Sequence, residues 1–507
     1  MPATAPRLGS RARPRIAALA ATAAAALALG VAGCGENDAS SALDDALGYL
    51  PKDAPVVAAV ETDPDGEQLQ QVDELISRFP FSGQFKEGFK NGVVKGRDLD
   101  FEDDVEPLLG NEVVIGVPDV RAGGSDTPAV VAWRVGDAGK AKKVLEDKAE
   151  EDGEIDGAEV FKRDDQFTAL DDDVLVAADS REMLEEAIDR RHDDDRLTED
   201  DFQDRLGDLS RDGLVRVAGD AQRLLESSPD SAAARSIPWV GALRTFAVVL
   251  YASGDGLAVD VNVRTEGVGA DQLPLAAGSD SPPVVTRDGE VALAIRDPGR
   301  IFDFAKEVND AAPRKSGPQS DDPSVNEALK RIGVDLKRDV VDQLGAASAA
   351  SIALDGSYAV RVDLKDPKAF AGTLATVASK LPRAGAPLDE LSIEPGGGAG
   401  FYRVTGRDGK QAFVGVVGDR LVVGKDAARA REFADAPAQP IAGARGAVAA
   451  TADLKAIVGR LLSRGGRGPF QAFGQALLSP LKDATGWVEA QPDGLTAHLG
   501  VGISGSR

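Results

Sequence analysis

Cys34 is the only cysteine among the 507 residues, and its surroundings suit covalent lipidation. It follows an apolar segment, Ile16 to Ala32, which is preceded by four arginines and closed by the small residue Gly33. A basic start, an apolar stretch and small residues before a cysteine are typical of a bacterial lipoprotein signal. The sequence therefore predicts a signal peptide over residues 1–33, cleavage before Cys34 and attachment of a lipid, with fatty acids such as palmitate, to its thiol through a thioether.

The same segment is also compatible with an ordinary secretory signal that contains an incidental cysteine, or with an uncut transmembrane anchor. The segment is rich in alanine, short for a membrane span and followed at once by polar residues, which favours the lipoprotein signal. Lipidation would leave a mature chain without free thiols, anchored to the cell membrane at its extracytoplasmic face. Residues 34–48 are then expected to form a lipidated N-terminal tether.

The chain is strongly acidic, with a formal net charge of −26. Such a protein is not expected to bind nucleic acid, because the phosphates attract cationic surfaces. The charge is also uneven, since residues 34–280 carry −32 and residues 281–507 carry +2. A solvated surface is the ordinary interpretation of the acidic part, and a docking surface for a cationic protein or for divalent ions is the alternative.

Side chains that could perform catalysis or bind a metal are scarce. His192 and His498 are the only histidines, and neither lies near a nucleophile motif, which argues against a zinc site and a catalytic triad. Glu61–Gly66 places acids at alternate positions before a glycine, but Val72 stands where a calcium loop needs a glutamate. The sequence therefore predicts no catalytic residue, no cofactor and no metal site, and a protein that is not an enzyme.

Two segments with the frame D-x-x-x-D-V-x-x-x-L-G, Asp100–Gly110 and Asp335–Gly345, indicate an internal duplication. Each predicts a short helix that begins at the first aspartate and ends at the glycine. Four further aspartates in each half follow a strand pattern and precede a helical one, which predicts helix N-caps rather than a metal or acid site. These residues are Asp63, Asp137, Asp179, Asp220, Asp297, Asp366, Asp426 and Asp453.

Polar turns between apolar strand patterns predict antiparallel meanders at Glu159–Ala178 and Phe401–Gly424. The expected fold class is α+β, with two tandem duplicated units, each a mostly antiparallel sheet with helices packed on one face. The proline- and glycine-containing stretch 273–283 predicts a linker. The first repeat, which is acidic, would then span residues 49–272, and the nearly neutral second repeat residues 284–507.

The segments Leu50–Val60 and Asp100–Gly110, with the strand pattern that follows them, resemble a bacterial family called domain of unknown function 3352. The resemblance implies a secreted or membrane-attached bacterial protein. It implies no activity, substrate or catalytic residue, because the family has none assigned.

The sequence predicts a lipid-anchored envelope lipoprotein with a non-catalytic role in binding or assembly. This prediction rests on the lipoprotein signal, the acidic composition of the mature chain and the lack of catalytic groups. The alternative is a carrier that encloses a lipid or another apolar ligand between sheet and helices. An apolar helical stripe would line such a cavity, although packing in the core accounts for it equally well. The stripe consists of Leu69, Val72, Leu75, Ile76 and Phe79.

Overall fold

The structure is a computed structural model, and its described residues form two compact units. The first unit contains those up to Ser77, those between Phe81 and Ser231, and Thr245–Gly254, and the second contains all others. The described residues are 39–80, 82–84, 87–88, 90, 100–120, 128–209, 211–228, 231–278, 283–311, 325–464 and 478–505.

An antiparallel sheet forms the first unit. Its strands are β1 (Val56–Val60), β2 (Val113–Val117), β3 (Val130–Arg134), β4 (Glu150–Ile155), β5 (Ala158–Arg163), β6 (Gln166–Asp171), β7 (Val174–Ala178), β8 (Val215–Asp220) and β9 (Leu243–Ser253). They pair in the order β4-β5-β6-β7-β3-β2-β1-β8-β9. β1 therefore lies inside the sheet, which suits its valines and alanines because these small or β-branched side chains pack well there.

One apolar core joins this sheet to three of the helices in the first unit. The helices are α1 (Ala39–Leu47), α2 (Glu67–Ser77), α3 (Ala138–Lys148), α4 (Arg181–Arg190), α5 (Glu199–Leu206) and α6 (Ala221–Ser227). α1 contributes Leu43, α4 contributes Leu184 and α5 contributes Phe202, each at most 2% exposed. Burial of such side chains is the main source of stability in a chain without disulfides.

The predicted tether 34–48 overlaps α1, and from Ala39 onward this prediction is corrected. Leu43, Ala46 and Leu47 lie in the core because they recur at helical spacing on one face of α1. Just beyond the helix, the hydroxyl of Tyr49 donates a 2.7 Å hydrogen bond to Asp171 on β6. Nη1 of Arg191, which follows α4, donates to both groups, at 2.9 and 2.8 Å. α1 is therefore part of the folded unit.

The second unit contains a longer antiparallel sheet and a two-stranded one. Its strands are β10 (Gly256–Thr265), β11 (Val284–Val285), β12 (Val291–Arg296), β13 (Leu344–Ile352), β14 (Tyr358–Leu364), β15 (Ser392–Pro395), β16 (Phe401–Thr405), β17 (Gln411–Val417), β18 (Arg420–Gly424), β19 (Gln439–Pro440), β20 (Val448–Asp453), β21 (Leu481–Gln491) and β22 (Gly494–Ile503). The main order is β15-β16-β17-β18-β14-β13-β12-β20-β21-β22-β10, and β11 pairs with β19.

Several small apolar clusters contribute to the core of the second unit within the described residues. One groups Trp487 with Ala294 and Ala449 on the central strands, and another groups Leu329 with Leu381. The helices are α7 (Ser231–Arg235), α8 (Pro238–Gly241), α9 (Gly299–Ala311), α10 (Val325–Arg331), α11 (Leu336–Asp339), α12 (Pro367–Lys380), α13 (Ala427–Asp435) and α14 (Leu454–Arg464).

The α+β class and the antiparallel pairing are confirmed, and both predicted meanders form, as β5-β6-β7 and β16-β17-β18. The compact units do not divide at 273–283. Residues 256–265, placed in the first repeat by sequence, belong to the second unit because β10 pairs with β22 along nearly its whole length. The repeat boundary itself remains a prediction.

Five of the eight predicted N-caps are confirmed, because their carboxylates accept a backbone N–H from the first turn of a helix: Asp137, Asp220, Asp366, Asp426 and Asp453. The other three differ. Ser180 replaces Asp179 as the cap of α4, and Asp63 closes a turn by accepting the N–H of Asp65. Asp297 has a φ of 50°, outside the range of a capping residue.

Candidate functional site

Three ionisable residues of the first unit meet at one end of its central strands. Glu61 follows β1, Glu112 precedes β2 and Arg216 lies on β8. The pairing of Val60 with Val113 and with Val215 brings these positions together. We refer to Glu61, Glu112 and Arg216 as the carboxylate–arginine cluster.

Arg216 and Glu112 form a buried ion pair within this cluster. Nη2 of Arg216 lies 2.5 Å from both carboxylate oxygens of Glu112. The side chains are 6% and 16% exposed, and the guanidinium stacks 5.7 Å from the ring centroid of Phe202 on α5. Nε of Arg216 is buried and has no hydrogen-bond partner among the described residues. The pair is thus strongly desolvated, and its stability depends on both partners being present.

Glu61 is the second carboxylate near the same guanidinium. Burial is the main cause that raises its pKa to about 7, and the carboxylate of Glu112 adds to the effect, while the amide of Asp63 and Arg216 oppose it. Burial also raises the pKa of Glu112, against the opposing effect of Arg216. The cluster therefore changes its charge near neutral pH, when Glu61 takes up or releases a proton.

The predicted calcium-like loop, Glu61–Gly66, uses its acids for local backbone contacts. Oε1 of Glu61 accepts the N–H of Asp63 at 2.7 Å, and Oδ1 of Asp63 accepts the N–H of Asp65 at 2.9 Å. Within the described residues, no group of three or more histidine, cysteine, aspartate or glutamate side chains could hold a metal ion. The loop is therefore a connection between β1 and α2 that local hydrogen bonds to its own backbone hold in place.

A charged cavity of about 330 Å³ lies in the second unit. It opens beside the N-terminal half of α9, at the end of β12 and the start of β13. Its lining also includes three buried apolar residues, Leu273, Val341 and Leu344, which are 3 to 7% exposed. Its charged lining residues are Asp271, Asp297, Arg300, Asp303, Glu307, Lys337, Asp342 and Lys365. The volume of the cavity is near the lower limit for ligand pockets, and both acidic and basic side chains line it.

The residues singled out by sequence lie in separate parts of the structure. Cys34 lies outside the described residues. His192 lies in the turn after α4. His498 lies on β22, where Nδ1 is 2.6 Å from Oδ1 of Asp260 on β10 and the ring stacks on Trp487. In the stripe considered for a carrier, Leu69 and Leu75 are buried at 6% and 3% exposure.

The acidic runs are partly occupied by ion pairs. In the run 171–173, Asp171 binds Arg191, and Asp173 accepts a 2.7 Å hydrogen bond from Nε of Arg134. These carboxylates therefore support the fold of the first unit in addition to any role at the surface. No helix among the described residues has the length and apolar character needed to cross a membrane.

Sequence reasoning missed the carboxylate–arginine cluster and the charged cavity. Glu112 and Arg216 are 104 residues apart and meet only through strand pairing. The one available signal was local, namely that Glu61, Glu112 and Arg216 each stand in or beside an apolar strand pattern where a charged residue is costly.

Comparisons with known proteins identify a family. The profile of a family described as "Protein of unknown function (DUF3352)" matches residues 16–343. The chain belongs to this family. The resemblance carried by Leu50–Val60 and Asp100–Gly110 is thereby confirmed, and family membership assigns no role to any residue.

Other comparisons are weak. No curated protein matches the chain. Three crystal forms of the protein TP0453 are similar at 7 to 10% identity, with TM-scores of 0.25 to 0.27. These matches cover 43 to 44% of this chain and 80 to 81% of TP0453. At such TM-scores the similarity does not define a shared fold.

Proposed function

We propose that this member of the family is a lipid-anchored, non-catalytic binding protein of the bacterial cell envelope. Cys34 would hold it at the extracytoplasmic face of the membrane, and the folded units would provide the binding surfaces. The observation that carries the proposal is the order of segments along the chain: basic residues, an apolar stretch, Gly33-Cys34, and then a helix that enters the core.

The spacing between Cys34 and α1 supports an anchor that keeps the body close to the membrane. Four residues separate Cys34 from Ala39, so the chain between them spans at most about 20 Å. The first unit is strongly acidic, and anionic headgroups repel it. A covalent lipid would therefore supply the membrane affinity that the charge of this unit does not.

The charged cavity favours a small polar ligand over an acyl chain. Its lining includes eight ionisable side chains, and burying these against a hydrocarbon chain would leave charges without water or partners. Binding of a small solute is the role that we propose for the second unit.

We also propose that the chain arose by internal duplication. The order β4-β5-β6-β7-β3-β2-β1-β8 of the first unit corresponds, strand for strand, to β15-β16-β17-β18-β14-β13-β12-β20 of the second. The two D-x-x-x-D-V segments also make the same backbone contact. The N–H of Asp100 donates to Asp104 and that of Asp335 donates to Asp339, both at 2.8 Å.

Metabolic labelling with an alkyne-bearing palmitate analogue tests the anchor. We expect the wild-type chain to incorporate the label and to sediment with membranes, and Cys34→Ala to lose both properties, because the lipid is attached through the sulfur of Cys34. Gly35→Ala, which keeps the cysteine, is the matched control and should be labelled. Equal labelling of wild type and Cys34→Ala would contradict the proposal.

A further inference from the structure

The charges around the cavity of the second unit are only partly neutralised by one another. Nζ of Lys337 lies 3.3 Å from Asp303 and 2.5 Å from Asp342. Nε of Arg300 lies 3.6 Å from Asp297, and its Nη1 donates to the carbonyl of Ala270 at 2.6 Å. These contacts pair two of the three cations in the lining with carboxylates.

Three charged groups in the lining remain outside these pairs. Among the described residues, Asp271 and Glu307 form no ion pair, and Lys365 donates only to the backbone carbonyl of Asp342, at 3.0 Å. The unpaired charges are thus two carboxylates and one ammonium group. A complementary ligand carries two cationic groups and one carboxylate.

The lining of the cavity also contains apolar residues, which offer a small surface for a hydrocarbon stem. Leu273, Val341 and Leu344 are buried, and Phe304 is held by an edge-to-face contact with Trp239 at 6.3 Å between ring centroids. A flexible chain of methylene groups can lie against these apolar residues while its charged ends reach the rim of the cavity. The volume of about 330 Å³ suits a single amino acid rather than a longer polymer.

We propose that this cavity binds a free basic amino acid. Its carboxylate would pair with Lys365, its α-ammonium and side-chain ammonium with Asp271 and Glu307, and its methylene stem would lie over Leu344 and Phe304. The proposal deepens the binding function proposed above and rests on it. Because the rim is open to solvent, the affinity is modest and decreases with ionic strength.

Isothermal titration calorimetry on the purified full-length protein at low salt tests the proposal, with L-lysine as the probe. L-Norleucine keeps the stem and the carboxylate but lacks the side-chain ammonium, and cadaverine keeps both ammonium groups but lacks the carboxylate. We expect L-lysine to bind at least about tenfold more tightly than either analogue, because each analogue leaves a rim charge unpaired.

Two variants separate the rim contacts. Glu307→Gln should weaken L-lysine binding several-fold and leave L-norleucine unchanged, whereas Lys365→Met should weaken L-lysine and leave cadaverine unchanged. Asp310→Asn is the matched control, because Asp310 lies on the same helix, outside the cavity, and pairs with Lys306. It should bind L-lysine like the wild type. Circular dichroism melting curves verify that each variant is folded.

A titration of the wild type that shows only the heat of dilution overturns the proposal, as does equal weakening by Glu307→Gln and Asp310→Asn. Failure of the ligand is distinguishable from failure of the proposed anchor. A chain that is labelled at Cys34 but does not bind L-lysine would refute the ligand alone, and a chain that binds L-lysine without labelling would refute the anchor alone.

Discussion

The two units differ at one end of their central strands. In the first unit this end is filled by buried side chains, and in the second a cavity opens there. In the first unit these strand ends carry the carboxylate–arginine cluster, packed under Phe202. When β1 is aligned with β12, the strand pairing gives the corresponding positions in the second unit. Glu61 corresponds to Arg296, Glu112 to Ala347 and Arg216 to Ala449. The charged cavity opens at this end of the second unit.

The two units also differ in how they bind an arginine at these strand ends, which is buried in the first unit and half-buried in the second. Arg216 of the first unit depends on an ionised carboxylate, Glu112. Arg296 of the second unit donates from Nη2 to the backbone carbonyls of Ala276, Ala277 and Gly278. Carbonyl acceptors do not titrate, so the hydrogen bonds of Arg296 do not depend on an ionised partner, whereas the ion pair of Arg216 depends on the ionisation of Glu112. One strand order therefore supports a buried charge network in the first unit and an open cavity in the second.

Removal of Arg216 is the change with the largest expected effect. Arg216→Met would leave Glu112 buried without its counter-ion, at a cost of about 3–5 kcal/mol above neutral pH. The cost should decrease in acid, where Glu112 becomes protonated. Hydrogen exchange of the β1, β2 and β8 amides, followed by mass spectrometry, measures the local free energy of opening.

Arg296→Met is the control in the other unit. It removes a cation that binds only neutral carbonyls, so we expect a smaller loss, about 1–2 kcal/mol, with no dependence on pH. If Arg216→Met and Arg296→Met lower the free energy of unfolding equally, or with the same pH dependence, the proposed difference between the two arginines is wrong.

Replacement of Glu61 tests the pH dependence of the first unit. The pKa of Glu61 is raised from 4.5 to about 7, so between these values the folded protein keeps a proton that the unfolded chain releases. The free energy of unfolding of the first unit should therefore fall as pH rises from about 4.5 to 7. Glu61→Gln removes this fall and should stabilise the unit at pH 8 by about 3 kcal/mol.

The measurement is urea unfolding followed by the fluorescence of Trp133, in a protein whose Trp239 and Trp487 are replaced by phenylalanine. Glu74→Gln, an exposed site on α2, is the control and should leave the pH profile unchanged. If Glu61→Gln keeps the wild-type profile, Glu61 does not titrate as the structure indicates.

The smallest effect is expected in the charged cavity. The side chain of Lys337 is 56% exposed and its pairs with Asp303 and Asp342 are in contact with solvent. Lys337→Met should therefore change the stability of the second unit by less than about 1 kcal/mol. Thermal unfolding at low and high salt measures this, and a loss as large as that of Arg216→Met would show that the cavity charges hold the fold together.

Local features of the fold could be predicted from sequence, and features that depend on distant residues could not. Asp366-Pro367 is recognisable as a helix start because a cap and a proline act on the next turn only. The sequence of β4, Glu150–Ile155, lacks the alternation of apolar and polar residues that predicts a strand. Its residues are mostly charged and exposed, as suits the edge of a sheet. The helix α1 does have a helical spacing, in Leu43, Ala46 and Leu47, but the nearby lipidation signal favoured a tether over a helix there.

The candidate sites were harder to predict than the fold. Glu61 belongs to a calcium-like pattern in the sequence, but its partners are supplied by β2 and β8, and no local pattern joins these strands. The cavity likewise combines residues 271–273 with 297–307, 337–344 and 365. Charge counts did locate the acidic half of the chain, but they did not separate carboxylates that pair, such as Asp171, from those that face water.

The packing of α1 gives the proposed anchor a mechanical meaning. A pull on a lipid at Cys34 would enter the body through this helix and would reach Tyr49 within a few residues. The hydroxyl of Tyr49 would pass this force on through two hydrogen bonds, one to Asp171 on β6 and one from Arg191, which follows α4. If Cys34 carries the proposed lipid, α1 would connect the anchor to the core of the first unit, and several elements would share a tension applied at the membrane.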